Sequence, residues 1–527
     1  MASEDNTRVA QSGLATRAPA GSVSVACIEG FCVERERPMS FRMDAVFRDK
    51  PKKRESGKEL RGVSGTVVLR AQESCAQGEG SEVLSSSVRK QGMTQRSQET
   101  LTTKLQKIAG RSKADGKCEF AYLMPLISTS ALAQCYSELD GTKAVGSDGI
   151  TKEEYGNNLV SNLNTLVSRM QAMQYRPRPM RLVEIPKSDG TTRPISIACT
   201  EDKLVESSFS RILMAIYEPI FKDFSYGFRP GRNPVMALKS VHAGLFSSRN
   251  AHVVDVDLAD YFGSIEHEKL LAVLRMRIKD ERFLRYVARF LKVGHVSQNG
   301  TQPRTRGVPQ GSILGPVLSN IYAHYCIDCW FTRELDAGTF RTARLTRYAD
   351  DILVYTESHA EAEKFLQALK DRLCRCGLRV NDSKTKIASF SRRRFEQGEV
   401  ADSFNFLGFK FYLSRSLKGK TVPKVTTDKN RLRKKLSDLN IWCSKNRSRL
   451  KLEELLSRVT ARIQGHVNYF GVSTNLQAVE KFIDSARRIF FKWINRRSQK
   501  KSMTWEKFQL FLTLKGFPKA RIHHKLF

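Results

Sequence analysis

The stretch RYADDILVY, residues 347–355, places two adjacent carboxylates between residues of high β-propensity. This pattern predicts a strand, a two-residue turn and a second strand. Asp350 and Asp351 would then lie at a hairpin tip in a chain of strongly positive charge. We expect them to hold divalent metal ions for phosphoryl transfer, together with a third carboxylate from elsewhere. A solvated Asp-Asp turn is the alternative.

A candidate for the third carboxylate lies in the β-prone run HVVDVDL, residues 252–258. Strand alternation places Asp255 and Asp257 on one face of this run, with Val254, Val256 and Leu258 on the other. A carboxylate at the end of this strand, beside Asp350, would complete a metal site.

The composition points to a polyanionic partner. The chain has 527 residues, with 89 Lys and Arg against 54 Asp and Glu, which gives a formal net charge of +35. Such an excess repels itself unless nucleic acid or a membrane surface neutralises it, and nucleic acid is the interpretation that we favour. No uninterrupted apolar run long enough to span a bilayer occurs, and Glu4 and Asp5 argue against a signal peptide.

The eleven cysteines are scattered and odd in number. Because no export signal is recognised, they favour reduced thiols in a cytoplasm over a disulfide framework. We interpret Cys326 and Cys329 as core residues and not as metal ligands.

Residues 1–95 are rich in Ser, Gly, Arg and Glu and lack hydrophobic periodicity. They predict a mostly disordered leader with a short strand at Thr66–Arg70, and a small accessory domain is the alternative. Helical periodicity begins at Thr102.

Three further segments carry candidate ligand contacts. Residues 181–197 alternate as a β-hairpin, on which Lys187 and Arg193 could clamp a triphosphate. The turn GVPQGSILGP, residues 307–316, precedes a predicted helix Val317–Trp330 and presents Gln310 to a base or sugar edge. Phe262 could belong to the core, or could fill the space that a ribose 2′-hydroxyl would need.

The C-terminal part is strongly basic. Residues 415–527 contain 28 Lys and Arg against seven Asp and Glu. Apolar stripes predict three helices over Lys429–Asn446, Leu452–Tyr469 and Leu476–Asn495, with basic outer faces.

The motifs, taken together and in order, resemble group II intron reverse transcriptases, also called maturases. The resemblance covers roughly residues 100–410 and rests on KAVGSDGIT (143–151), IPKSDGTTRPISI (185–197), YGFRPGR (226–232), VVDVDLADYFGSI (253–265), GVPQGSILGP (307–316), RYADDILVY (347–355), NDSKTK (381–386) and FNFLGF (404–409). GHVNYFG (465–471), NRRSQ (495–499) and KGFPKARI (515–522) are similar to the maturase region of that family.

The resemblance implies an α+β right-hand polymerase followed by an α-helical thumb, or maturase, domain. We expect fingers with an N-terminal extension over residues 96–250, and a palm with an antiparallel sheet over 251–412. The thumb is expected over 413–500 and a basic C-terminal tail over 501–527.

The resemblance also implies roles for single residues. Asp257, Asp350 and Asp351 match the catalytic carboxylates, and the Leu258 carbonyl is expected to add a ligand for Mg²⁺, although Mn²⁺ takes the same oxygen donors. The residues that match nucleotide-binding positions are Lys187, Arg193, Phe262, Gln310 and Lys384. Nucleic-acid contacts are assigned to Arg229, Arg232, Arg431, Lys434, Arg496 and Arg497.

The expected function is that of an RNA-directed DNA polymerase that copies its intron RNA and assists splicing. Its expected partners are group II intron RNA, an RNA template with a DNA primer, deoxynucleoside triphosphates and target DNA; the oligomeric state stays open. Because no Cys/His-rich nuclease motif follows the thumb, second-strand cleavage is not expected. A splicing-only RNA-binding maturase and a domesticated reverse transcriptase in defence or repair are the alternatives.

Overall fold

The computed structural model describes residues 100–186, 192–297, 300–497 and 502–526. The predicted leader, its strand at Thr66–Arg70 and Lys187 lie outside the described residues. Within the described ranges the chain combines many helices with three β-sheets, so the predicted mixture of helix and sheet is confirmed. No helix in these ranges has both the length and the apolar content that a membrane span requires.

The strands are β1 Met180–Pro186, β2 Thr192–Ile197, β3 Asn250–Val256, β4 His295–Ser297, β5 Gly300–Gln302, β6 Arg344–Tyr348, β7 Asp351–Thr356, β8 Lys386–Ser391, β9 Phe404–Phe406, β10 Phe409–Arg415 and β11 Thr421–Thr427. The helices are α1 Leu101–Ala114, α2 Thr129–Glu138, α3 Lys152–Gly156, α4 Leu159–Gln171, α5 Thr200–Tyr217, α6 Pro234–Ser247, α7 Tyr261–Ser264, α8 His267–Arg275, α9 Glu281–Lys292, α10 Gly315–Ala323, α11 Cys329–Asp336, α12 His359–Arg375, α13 Arg392–Glu396, α14 Lys429–Asn446, α15 Leu452–Phe470, α16 Leu476–Ile494 and α17 Trp505–Leu514.

The central sheet has the strand order β6-β7-β3-β8, and each neighbouring pair is antiparallel. It separates two hydrophobic clusters, because alternate residues of each strand point to opposite faces. Val254, Val256 and Leu258 belong to one cluster, as predicted, whereas Ala251 and Val253 belong to the other. Burial of the neighbouring valines therefore determines which face of the sheet carries Asp255 and Asp257.

The hairpin predicted over residues 181–197 is confirmed, since β1 pairs with β2 and Pro186 lies opposite Thr192. This pair forms one sheet with β4 and β5, two strands of three residues that the sequence analysis missed. The aromatic strand pair at residues 404–409 is also confirmed, and β11 extends it to a three-stranded sheet.

The predicted helix Val317–Trp330 is confirmed, since the chain is helical without a break from Gly315 to Asp336. A π-helical turn over His324–Asp328 joins α10 to α11. A wider turn of this kind changes the direction of the side chains that follow it. Here it accompanies a fully buried Asp328, whose carboxylate meets the guanidinium of Arg347 in the core.

The three predicted C-terminal helices are confirmed within a residue or two as α14, α15 and α16. The prediction that residues 501–527 form a basic tail is wrong for the described part of that segment. It contains α17, and Phe508, Leu512 and Leu526 are buried in the same cluster as α15 and α16. Burial of these apolar side chains outweighs the repulsion among the surrounding cations.

Candidate active site

The tip of the β6–β7 hairpin is the two-residue turn Ala349-Asp350, which confirms the predicted strand, turn and strand. Tyr348 and Asp351 face each other where the strands meet the turn. Ala349 has a φ of 59°, in the left-handed region. For a residue with a Cβ this conformation costs about 1–2 kcal/mol, so the surrounding structure must hold it in place.

Arg347 provides part of that support from the core. Its side chain is fully buried, and its Nε donates to Asp328 Oδ1 at 2.8 Å. Its Nη1 donates to the Ala349 carbonyl and to Asn320 Oδ1, both at 3.1 Å. Burial alone would raise the pKa of Asp328, but the charge and hydrogen bonds of Arg347 lower it instead. The strained turn thus rests on a satisfied buried ion pair.

Gly227 supports the same turn from the other side. A Cβ at this position would lie 2.3 Å from the Ala349 nitrogen, so no larger residue fits without moving the turn. Backbone hydrogen bonds of 2.8 Å join Tyr226 and Phe224 to Arg347. The loop YGFRPGR therefore acts here as a brace for the hairpin.

Asp257 follows the end of β3, next to β7. The register pairs Val256 with Ile352, and one further step of the same register would bring Asp257 opposite Asp351. The backbone nitrogen of Asp257 donates to Thr385 Oγ1 at 3.2 Å, and its carbonyl accepts from the Asn381 nitrogen at 2.8 Å. The segment 381–386 thus fixes the backbone of this aspartate.

The carboxylates near the tip crowd one another. Burial raises the pKa of Asp351 to about 7, and the charges of Asp350, Asp255 and Asp257 add to the rise. Burial also raises the pKa of Asp350, where Asp257 adds to the effect and Arg193 opposes it. Burial first, and then the charges of the neighbouring carboxylates, thus disfavour the ionised forms, which a bound cation would favour.

The donors in this region are oxygen atoms, which are the ligands that Mg²⁺ and Mn²⁺ prefer. Among the described residues, however, no three His, Cys, Asp or Glu side chains form a ready-made metal cluster. Asp257 Oδ2 accepts a hydrogen bond from Asn381 Nδ2 at 3.0 Å and lies 3.7 Å from Lys384 Nζ. These oxygen donors suit a hard divalent cation. The ammonium group of Lys384 neutralises part of the charge on Asp257, as such an ion would. Metal binding by Asp257, Leu258, Asp350 and Asp351 stays a prediction.

A cavity of about 720 Å³ opens beside these residues. This volume is within the range of small-molecule and cofactor sites. Its wall brings together residues that lie far apart in the sequence, namely Arg193, Asp257, Leu258, Phe262, Gln310, Asp350 and Lys384. All of these were predicted as site residues from the sequence.

Phe262 and the turn at 307–316 are joined by their backbones. Val308 donates to the Phe262 carbonyl at 2.8 Å, and Ser196 on β2 donates to the Gln310 carbonyl at 2.7 Å. Gly311 has a φ of 106°, and a Cβ there would lie 2.4 Å from the Ser196 carbonyl oxygen. The positions of Phe262 and Gln310 on the cavity wall therefore depend on this one turn.

Glu206 on α5 supports that turn from the core and was missed by the sequence analysis. Its Oε2 accepts a hydrogen bond from the Ile313 nitrogen at 2.7 Å, whereas its Oε1 has no hydrogen-bond partner among the described residues. Burial raises the pKa of Glu206 to about 7. Its signal in the sequence was weak, because Asp202 and Ser208 are polar residues at buried positions of the same helix.

The prediction that Arg229 contacts nucleic acid is corrected by its surroundings. Its side chain is only 3% exposed, and its Nε donates to Glu218 Oε1 at 2.9 Å. Its Nη1 donates to the carbonyls of Lys222 and Ser225 at 2.7 and 2.8 Å. These internal bonds occupy the guanidinium, so Arg229 stabilises the loop instead of meeting a phosphate.

The other predicted nucleic-acid contacts differ in their surroundings. Arg232 is paired with Asp223, at 2.7 Å between Nη2 and Oδ1. The charge of Arg431 opposes the rise in the pKa of Asp351, so Arg431 lies near the carboxylates. Lys434 and Arg496 are exposed, Arg497 is half-buried, and their roles stay predictions.

Two further cavity residues were missed. Phe228 lines the cavity with a φ of 55° and is 49% exposed, so its ring is accessible to a ligand. Asn381 holds the carboxylate of Asp257. Phe228 and Asn381 lie in motifs whose charged residues gave the stronger signal in the sequence.

Comparisons with known proteins match this part of the chain. Residues 185–411 match the family described as reverse transcriptase (RNA-dependent DNA polymerase). Protein YkfC of Escherichia coli K12 is 30% identical over an alignment of 319 positions, which covers 54% of this chain and 81% of that protein.

Two intron-borne proteins are also similar. Group II intron-encoded protein LtrA of Lactococcus lactis subsp. cremoris is 32% identical over 190 residues, which are 36% of this chain and 31% of LtrA. An uncharacterized 91 kDa protein in the cob intron of Schizosaccharomyces pombe is 31% identical over 199 residues, which are 38% of this chain and 24% of that protein. The chain thus spans less than a third of either intron-borne relative.

Proposed function

This chain belongs to the reverse transcriptase family, among the group II intron-encoded proteins, and we propose that it copies intron RNA into DNA and assists splicing by binding that RNA. The observation that carries the proposal is the cavity wall, where Asp257, Asp350, Arg193 and Lys384 meet. Carboxylates for a cation and basic groups for a triphosphate are the two requirements of nucleotidyl transfer.

In the proposed complex, Arg193 and Lys384 bind the triphosphate of an incoming deoxynucleotide. Phe262 packs against its sugar, and Gln310 contacts the template–nucleotide pair. Divalent cations held by the three aspartates and the Leu258 carbonyl would lower the pKa of the primer 3′-hydroxyl and neutralise charge on the departing diphosphate. Arg347 and Gly227 keep the aspartates of the turn in place throughout.

The proposed division of the chain follows from these roles. Residues 96–250 form the fingers, 251–412 the palm with the central sheet, and 413–500 a thumb that binds RNA through α14, α15 and α16. The basic faces of α14, α15 and α16 support the last assignment, since cations that meet phosphates release counterions. The proposed partner for insertion of the intron is target DNA.

Primer extension on an RNA template with Mg²⁺ tests the proposal. Asp350→Ala is expected to lower the extension rate at least about 100-fold while RNA binding stays near that of the unmodified protein, because the lost group acts on the reacting atoms. Asp371→Ala, which removes an exposed carboxylate of α12, is the matched control and should extend primers normally. Unchanged extension by Asp350→Ala would refute the proposed function.

A further inference from the structure

A second cavity, of about 800 Å³, lies at the other end of the central sheet. We call it the distal cleft, and its main lining residues are Phe246, Arg249, Arg392, Arg393, Arg415 and Lys420. Asn250 at the start of β3 also lines it, whereas Asp257 follows the end of the same strand. At about 3.3 Å per residue, the cleft lies about 20 Å from the catalytic carboxylates.

The charge of the distal cleft is strongly one-sided. Five cations line it, against the single carboxylate of Glu396. Arg249, Arg393, Arg415 and Lys420 are exposed, and no ion pair forms on any of them within the described part of the chain. By contrast, the neighbouring Arg394, which does not line the cleft, is paired with Glu399. Cations gathered without counter-charges favour an anionic ligand that carries several charges.

An aromatic side chain lies among these cations. Phe246, in the last turn of α6, is 52% exposed. The Arg392 guanidinium lies 5.5 Å from the centre of its ring and is itself fixed, because its Nε donates to the Ser248 carbonyl at 3.0 Å. Cations that follow a phosphate backbone, with an accessible ring on which a base can stack, are the features of single-stranded nucleic-acid sites.

The walls of the distal cleft are held together by the fold. Arg393 on α13 donates its backbone N–H to the Arg249 carbonyl at 3.2 Å. His242 on α6 donates from Nε2 to the Pro423 carbonyl on β11 at 3.1 Å. Because α6, α13 and β11 are tied in this way, the site is formed before any ligand arrives, which lowers the entropy cost of binding.

We propose that the distal cleft binds single-stranded RNA, with phosphates on Arg249, Arg393, Arg415 and Lys420 and a base stacked on Phe246. This goes beyond the proposed polymerase function and does not depend on it, because the cleft shares no residue with the active-site cavity. A long RNA would then contact the protein at two places, and the cleft would hold RNA that is not being copied.

The test compares the binding of a long, unstructured single-stranded RNA to the full chain and to two triple variants. The cleft variant is Arg249→Ala/Arg393→Ala/Lys420→Ala. The matched control, Lys113→Ala/Arg285→Ala/Lys364→Ala, removes three exposed cations outside both cavities. The cleft variant is expected to raise the Kd at least about 10-fold and to reduce the slope of log Kd against log salt by about 2.

Two further arms separate the outcomes. Phe246→Leu should weaken RNA binding at least about 5-fold and leave the affinity for inorganic polyphosphate unchanged, because only a base can stack on the ring. Primer extension on a short RNA template should proceed in the cleft variant as in the unmodified protein. If the polymerase proposal is wrong, the unmodified protein will extend no primer. The comparison of RNA binding between the variants does not depend on extension, so the two proposals can fail separately.

The proposal is overturned if the cleft variant binds RNA as tightly as the unmodified protein, or if the control variant loses as much affinity as the cleft variant. It is also overturned if phosphatidylserine vesicles bind the unmodified protein and not the cleft variant while RNA binding stays equal. That result would assign the distal cleft to a membrane surface.

Discussion

The conformation of Ala349 shows how single residues hold the carboxylates in place. An alanine with a φ of 59° is unfavourable by itself, yet it sets the direction of Asp350 and Asp351. The buried Arg347 accounts for its stability from one side and Gly227 from the other. The sequence signal YADD predicted the turn, but neither supporting residue could be assigned. Arg347 is held in the core by Asp328 and Asn320, and Gly227 reaches the turn from a segment that is distant in the sequence.

We predict that Gly227→Ala lowers both activity and stability. A Cβ placed 2.3 Å from the Ala349 nitrogen must displace the turn, and overpacking of this kind costs about 1–3 kcal/mol. Urea unfolding and primer extension measure the two effects. The control is Gly110→Ala in α1, where a Cβ meets nothing within 4 Å and helix propensity predicts a small gain in stability. Wild-type activity in Gly227→Ala would contradict the role given to the brace.

We predict that Phe262→Ala weakens the choice of deoxyribonucleotides over ribonucleotides at least about 10-fold. Phe262 lines the cavity and its ring lies 5.6 Å from that of Tyr261, which supports it from behind. Removal of the ring opens space for a 2′-hydroxyl. Single-nucleotide incorporation of paired dNTP and rNTP substrates measures the ratio, and an unchanged ratio would leave Phe262 as a core residue only.

At the scale of elements, periodicity predicted α14, α15 and α16 well, because each has an uninterrupted apolar stripe. It did not report a tertiary contact inside a helix, or a helix within a lysine-rich segment. The π-helical turn at His324–Asp328 accompanies the pairing of Asp328 with Arg347, which no local pattern reports. α17 was missed because the many lysines around it suggested a tail, although its apolar residues Phe508 and Leu512 reach the core.

The turn at 307–316 is an element whose stability should depend on pH. The carboxyl of Glu206 has an unfolded pKa near 4.5 and a folded pKa of about 7, so the folded state binds the extra proton between these values. Its stabilising contribution is therefore complete below about pH 4.5 and is lost as the pH rises through 7. The shift corresponds to about 3 kcal/mol.

We predict that Glu206→Gln removes this dependence, because the amide is neutral at every pH and still accepts the Ile313 hydrogen bond. Between pH 5 and pH 8, the free energy of unfolding measured in urea should fall less for the variant than for the unmodified protein. Parallel pH profiles for the two proteins would contradict the assignment.

At the scale of the whole molecule, the central sheet joins two hydrophobic clusters and brings the carboxylates to one end and the distal cleft to the other. Strand alternation in the sequence predicted which residues of β3 share a face. It could not predict that β7 and β8 flank β3, since pairing over about a hundred residues depends on burial of the complete fold. Family motifs supplied the missing long-range information for Asp257, Phe262, Gln310 and Lys384, but they also gave Arg229 a ligand-binding role that its internal hydrogen bonds exclude.

The central claim is that Asp257, although it is held by Asn381 and Lys384 in this structure, acts with Asp350 and Asp351 in nucleotidyl transfer. The most direct measurement is the single-turnover rate of deoxynucleotide incorporation on an RNA template in Asp257→Asn and in Asp255→Asn, its neighbour on the same face of β3. We predict a loss of at least about 100-fold for Asp257→Asn and of less than about 10-fold for Asp255→Asn. A rate in Asp257→Asn equal to that of the unmodified protein, or an equal loss in both variants, would contradict the account.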